Sequence, residues 1–203
     1  MSAERRRRLN PDDRRAQLLA LGVASLAEQP LDALSIEQLS AKAGVSRSLL
    51  FYYFGSRQGL HHAVVLAARD ALLRATTPAL ELPPLDRLHD TLTRLVAFVR
   101  EHRGTFFALV RGSSSADSDA KALIDEARAV NAERLLAAFL ELGTPDSELL
   151  RVAVRAWVSF AEETLVDGAI ATELPDAELV AFLQRSATAV VAAVAPAPHP
   201  AGG

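Results

Sequence analysis

The stretch AGVSRSLLFYYFGSR, residues 43–57, decides how the rest of the chain is read. Gly44 closes one apolar-periodic segment and Ser46 opens the next. Gly55-Ser56 then closes that one, so two short helices must meet at a tight turn. Four of its residues, Phe51, Tyr52, Tyr53 and Phe54, are consecutive aromatics in a chain with only 8 Phe, 2 Tyr and 1 Trp. Neighbours on a helix point about 100° apart, so four in a row cannot share one buried face. The spacing Val45, Leu50, Phe54 lays an apolar stripe on the second helix, which puts Phe54 in a core and Phe51 partly in it. Arg47, Ser48, Leu49, Tyr52 and Tyr53 are left off that stripe. A phenol in such a position can donate to a phosphate oxygen while its ring lies on sugar.

Working outward, Ser35-Ile36-Glu37-Gln38 has the S-x-x-Q form of a capping box and starts the first helix of the pair. Upstream, Pro11 with Asp12 and Asp13 opens a helix to about Gln29, where Pro30 stops it. Downstream, Ser56 caps a helix over residues 57–75, and TTPALELPPLD (76–86) reads as a linker. Further helices are expected at 86–103, 104–111, 118–142, 146–168 and 176–194. Asp146 and Asp176 are first-turn or capping residues of the last two. The chain is therefore expected to be all-α. A disordered basic arm covers 1–10, a helix-turn-helix domain 11–56, a connecting helix 57–75, a larger helical domain 76–195 and a disordered tail 196–203.

Composition agrees. Half the residues are hydrophobic, and Leu, Ala, Arg and Glu dominate over strand formers. There is no cysteine, which removes disulfides, thiol catalysis and thiolate metal sites. The basic start has no apolar segment straight after it, so it does not read as a secretory signal. Uncharged runs such as AQLLALGVASLA are too short to span a bilayer. A soluble cytoplasmic protein without membrane partners is the expectation. Residues 1–74 hold 11 Lys and Arg against 7 Asp and Glu, a balance of +4, whereas residues 75–203 hold 11 against 18, a balance of −7. A basic first third suggests that this part meets a polyanion.

Leu39, Ala43-Gly44-Val45-Ser46, Leu50, Tyr53-Phe54, Gly55-Ser56-Arg57 and Leu60 together resemble the TetR family of bacterial transcriptional regulators. The family form is close to IA..AGVSRGTLYYYFGSKEEL, and the resemblance runs from Leu18 to Leu60. It departs at Ser48 (often Gly), Leu49 (often Thr or Ser), Phe51 (usually Tyr) and Arg57 (usually Lys). The resemblance implies that residues 47–53 form a recognition helix lying in the major groove of double-stranded DNA. Arg47 would read guanine or hold a phosphate, and Leu49 would meet a thymine methyl. Ser35, Ser46, Ser48, Tyr52, Tyr53 and Arg57 would contact backbone or bases. Lys42 is as well explained by a solvated face, and Arg5 to Arg8 by an arm binding through counterion release.

The resemblance also implies a homodimer built from the last two helices, reading a near-palindromic operator. Helix 146–168 is apolar on two flanks, with Arg151, Arg155 and Glu162 as its charged stripe. One flank carries Val154, Val158, Ala161 and Leu165. Together with Leu183 and Val190 of the last helix, it is the expected dimer interface. A ligand pocket for a small-molecule effector should show as polar residues within apolar arcs: Thr91, His102, Asn131 and Glu163. Phe98, Phe106, Phe107, Trp157 and Phe160 are its candidate walls. Each also has a plain structural reading as a satisfied core polar, an edge residue or a core aromatic.

Catalysis and metal binding find no support. Adjacent His61 and His62 face different ways on a helix, and His89, His102 and His199 lack ligand spacing. There is no phosphate-cradling glycine loop and no nucleophile elbow. No cofactor is expected. The expected protein is a ligand-released repressor; the alternatives are a helical sensor or binding protein without sequence-specific DNA binding, and a helical enzyme.

Overall fold

In a computed structural model of the chain, residues 10–112, 118–172 and 174–194 are described. The expected basic run Arg5 to Arg8 and the tail 196–203 lie outside them. The described residues are helical, with no strand. They form α1 (Pro11–Ser25), α2 (Ile36–Ala43), α3 (Arg47–Phe54), α4 (Arg57–Ala75), α5 (Pro84–Glu101), α6 (Arg103–Gly112), α7 (Ser118–Glu141), α8 (Glu148–Leu165) and α9 (Asp176–Val194).

Local chemistry sets the first four helices. Asn10 caps α1, its side chain accepting from the Asp13 N–H at 2.7 Å, and Pro11 occupies the first turn. The capping box of α2 is complete: the Gln38 N–H donates to Ser35 Oγ, and the Ser35 N–H donates to Gln38 Oε1, both at 3.1 Å. Gly44 ends α2 at φ 63°, a left-handed conformation that turns the chain toward α3. Ser46 and Ser56 cap α3 and α4, accepting from the N–H groups of Leu49 and Gly59.

Two cores follow. The head core gathers Leu18, Leu39, Leu50, Leu60 and Val64, all fully buried. Each such side chain contributes about 1.5–3 kcal/mol by leaving water. The body core gathers Val96, Val99, Leu150, Leu165 and Leu183. Helix α4 belongs to both, because Leu60 and Val64 sit in the head core and Leu72 in the body core. In the body, α7 lies against α4 and α8, and α9 against α5 and α8. A second head–body contact is at Gly104, where a Cβ would stand 2.1 Å from the Ala27 Cα. Only a residue without a side chain lets α6 lie that close to the end of α1.

Some expectations change. α1 stops at Ser25, and a short 3-10 turn at Leu31–Ala33 follows Pro30. The long helix expected at 146–168 ends at Leu165 and widens into a π-helical segment, Val166–Ala171. At Gly168 a Cβ would meet Leu179 Cδ2 of α9 at 2.5 Å, so any larger residue there would require the Leu179 side chain to shift. Ser147 caps α8, its Oγ accepting from the Leu150 N–H at 3.1 Å, while Asp146 pairs with Arg151 at 2.6 Å. By length and composition α9, at 19 residues, could cross a bilayer. Its Leu179, Leu183, Ala187 and Val191 are instead buried in the body core.

Candidate nucleic-acid interface and effector cavity

The outer face of α3 is open. Tyr52 is 79% exposed, and Arg47, Ser46 and Ser48 are exposed beside it. The Arg47 guanidinium stands 3.4 Å from the Glu37 carboxylate of α2, with both side chains more than half exposed. A pair in that setting is worth about 0–1 kcal/mol, so Arg47 is free to swing to another acceptor. The Ser46 and Ser48 hydroxyls share a hydrogen bond at 2.9 Å. Leu49 is half-buried, which leaves only part of its side chain for a base methyl.

The two rings flanking this face exchange the places expected for them. Phe51 is 47% exposed and does not serve the core, whereas Tyr53 is half-buried against the head cluster. Both lie roughly 80° from the direction shared by Leu50 and Phe54, so helical periodicity does not choose between them. Packing on the neighbouring helices does.

Ser35 stays at the N-terminus of α2, with its Oγ engaged in the capping box. Lys42 pairs with Glu28 at 2.6 Å. Arg57 is also engaged within the head. Its Nε donates to the Leu34 carbonyl at 3.3 Å, and its Nη2 donates to the Asp32 carbonyl. Buried His61 donates from Nε2 to the same Leu34 oxygen at 2.7 Å, because a carbonyl can only accept. Reading the sequence missed this brace, since it joins residues more than twenty positions apart.

In the body, Thr91, Asn131 and Trp157 line one cavity of about 70 Å³, together with Leu88, Leu92, Leu95 and Leu135. The other predicted pocket residues lie elsewhere. Phe98 lies against His102 with ring centroids 4.7 Å apart and planes tilted by 59°, and His102 is an exposed residue at the C-terminal end of α5. Phe106 is core. Phe107 is 45% exposed and faces a cleft of about 590 Å³ between α6 and the loop after α1. Phe160 is 42% exposed and touches Phe182 at 5.9 Å. Glu163 makes an ion pair with Arg111, at 2.6 Å.

The cavity also holds three polar residues not expected there from the sequence: Thr76, Arg87 and Arg134. Arg134 follows Asn131 by one helical turn, which was the available signal. Arg87 is neutralised by Glu141 at 2.9 Å. Arg134 donates to the Leu73 carbonyl at 3.0 Å, to Thr76 Oγ1 at 2.9 Å and to Asn131 Oδ1 at 3.3 Å. Burial, and then the positive charge of Arg94, push it below the ordinary guanidinium value.

The expected dimer flank is corrected. Val154, Val158, Ala161, Leu165 and Leu183 are buried in the chain's own core, and Val190 packs against it half-buried. The opposite flank of α8 is open, with Leu149 at 61% and Val152 at 46% exposed. Phe160 and Phe182 continue this apolar face onto α9. An amphipathic helix with two apolar flanks offers no clue, in its own spacing, to which flank the rest of the chain will cover.

Comparison with known proteins supports the two-part division. Residues 18–64 match the family profile of bacterial regulatory proteins of the tetR family. Residues 84–190 match the tetracyclin repressor-like C-terminal domain. A crystal structure of a tetR-family transcriptional regulator from Streptomyces coelicolor superposes with a TM-score of 0.79 at 29% identity, covering 91% of this chain and 83% of that one. A TetR-like regulator from Rhodococcus sp. RHA1 gives a TM-score of 0.68 at 22% identity, with coverage of 91% and 99%; at that identity the likeness is one of fold. The nucleoid occlusion factor SlmA of Haemophilus influenzae (strain PittGG) is 27% identical over 95 residues. That match takes in 45% of this chain and 44% of the relative's length.

Proposed function

Because the chain belongs to the TetR family of bacterial transcriptional regulators, with a DNA-binding and a ligand-binding domain, we propose that it is a dimeric repressor released from a near-palindromic operator by a small effector. The observation that carries this reading is the open face of α3. It presents Arg47, Ser48 and Tyr52 together on a head small enough to dock as one body. In the proposed complex Arg47 reads a base edge, while Tyr52, and the edge of Tyr53, rest on the backbone. One such helix reads only a few base pairs. Two of them, presented about one helical turn apart by a dimer, read a palindrome.

Support for the dimer comes from the apolar face of Leu149, Val152, Phe160 and Phe182. A second copy is the natural cover for it, placing α8 and α9 of each subunit against those of the other. Support for the effector comes from the cavity beside the end of α4, the helix that the head and body share. A ligand that prefers one arrangement of α4 shifts the spacing of the two heads by its differential affinity. The reading places the protein in the cytoplasm with the DNA.

Selection of purified full-length protein against a pool of random duplexes tests this directly. The expected result is one enriched near-palindrome bound with a steep salt dependence. No sequence preference would overturn it and favour a helical sensor without specific DNA binding.

A further inference from the structure

We propose that the effector is a small apolar carboxylate, held in the cavity by Arg134 with Asn131 and Thr91, and that it acts by drawing Arg134 away from the end of α4. The inference rests on the effector site just described, and deepens it by naming the ligand's chemistry and the contact it disturbs.

The cavity's amide acceptor is taken: Asn131 Oδ1 receives the Thr76 hydroxyl at 2.9 Å and Arg134 at 3.3 Å. Because Arg can only donate, that contact also fixes which end of the amide faces it. Its donors are in surplus. The Asn131 Nδ2 and the Thr91 hydroxyl make no hydrogen bond to another described residue. Arg134 has neutral acceptors but no carboxylate among the described residues, unlike Arg87, which Glu141 neutralises. A ligand that fits must therefore bring acceptors and negative charge. An amine would meet Arg134 with Arg94 close behind it.

The remainder of the wall sets the ligand's body. Leu88, Leu92, Leu95, Leu135 and Trp157 are apolar, and about 70 Å³ is room for on the order of five water-sized positions. A short alkyl chain or a single ring matches that space. The planar guanidinium fork matches a carboxylate at its end.

The same arginine holds α4. Its Nη1 donates to the Leu73 carbonyl and to Thr76 Oγ1, in the last turn of that helix. A cation there satisfies carbonyls that the helix leaves open and suits its dipole. A carboxylate brings a full negative charge and two oxygens that the guanidinium fork can grip together, which the carbonyl and hydroxyl it now holds cannot offer, so it wins the competition for Arg134. Arg94 then remains as the other brace, donating to the carbonyls of Ala75 and Thr77. Loosening the last turn of α4 is felt at its other end, where Leu60 and Val64 anchor the head.

Calorimetry on the full-length protein tests the ligand class, using butyrate, hexanoate and benzoate, each beside its amide, and hexylamine. Carboxylates are expected to bind saturably and about tenfold tighter than their amides, with no binding of the amine. Arg134→Gln should erase that preference, and Arg134→Lys should restore part of it. Thr91→Val, which keeps the shape, should weaken the carboxylates severalfold with unchanged helical content. Equal binding of acid and amide overturns the proposal. So does a preference that survives Arg134→Gln, or no saturable binding of any probe at millimolar concentration. Hydrogen exchange tests the coupling: amides of residues 72–77 should exchange faster with carboxylate bound, and unchanged or slower exchange refutes it. None of these readouts involves DNA. Carboxylate binding with a failed operator selection removes the regulator reading alone; the reverse removes this one alone.

Discussion

Arg57 and Leu34 are joined across the head, the guanidinium Nε donating to the carbonyl at 3.3 Å beside the buried ring of His61. This ties the first turn of α4 to the entry of α2. Arg57 therefore acts as a brace in the free protein, where the family resemblance points to a phosphate contact. Arg57→Ala is expected to cost about 1–2 kcal/mol of stability and to weaken all duplexes alike. If the brace is its main role, the slope of log affinity against log salt stays unchanged. A slope shallower by about one would instead mark a lost phosphate contact.

Arg47 should separate from Arg57 in kind. Arg47→Ala is expected to relax preference at one base position by about 1–3 kcal/mol, with little loss of thermal stability, because its contact to Glu37 is exposed. Selections on both variants provide the check. Equal losses on every sequence would remove Arg47 from base reading.

Phe51 stands 47% exposed on the same helix. Phe51→Tyr adds a hydroxyl where many relatives carry one, at a site with room for it. Duplex affinity should rise a few-fold at low salt with an unchanged melting temperature. Unchanged affinity would place this ring off the DNA path.

Phe160→Glu and Phe182→Glu test the apolar face. Each puts a charge on a side chain that is already exposed in the single chain, so the fold should survive. The proposed dimer should dissociate in analytical ultracentrifugation, and binding to the proposed palindrome should fall toward that of a half-site. Val158→Glu, at a buried position, should instead unfold the body. A dimer that persists in both Phe variants would contradict the assigned face.

Glu162 gives a pH prediction. Burial pushes its carboxyl above the usual value of 4.5, against the opposing pull of Arg128, which donates at 2.9 Å. A raised folded value means that the folded state binds the proton more tightly. The stability so gained is complete below the unfolded value and is lost as pH rises through the folded one. Glu162→Gln removes that loss while keeping an acceptor for Arg128. Urea unfolding between about pH 4 and pH 7 should show the variant gaining on the parent as pH rises. A constant difference would contradict it.

The helices were legible because their causes are local. A serine three residues before a glutamine, a glycine able to take φ 63°, and a proline at a first turn act within a few residues of themselves. The exposed face of α3 was legible for the same reason, Arg47 and Tyr52 being left outside when Leu50 and Phe54 are buried. The sequence by itself thus determined an all-helical chain, a helix-turn-helix head and the exposure of Arg47 and Tyr52.

Only the tertiary structure decided between positions that periodicity treats alike. It turned Tyr53 rather than Phe51 toward the core, and buried the Val154–Val158 flank of α8 rather than the Leu149–Phe160 flank. It also brought Arg134 to the end of α4, and Arg57 to Leu34, over separations of 61 and 23 residues. A helix's spacing says which residues share a face. Which neighbour covers that face is settled by contacts between distant segments, and those exist only once the chain has folded.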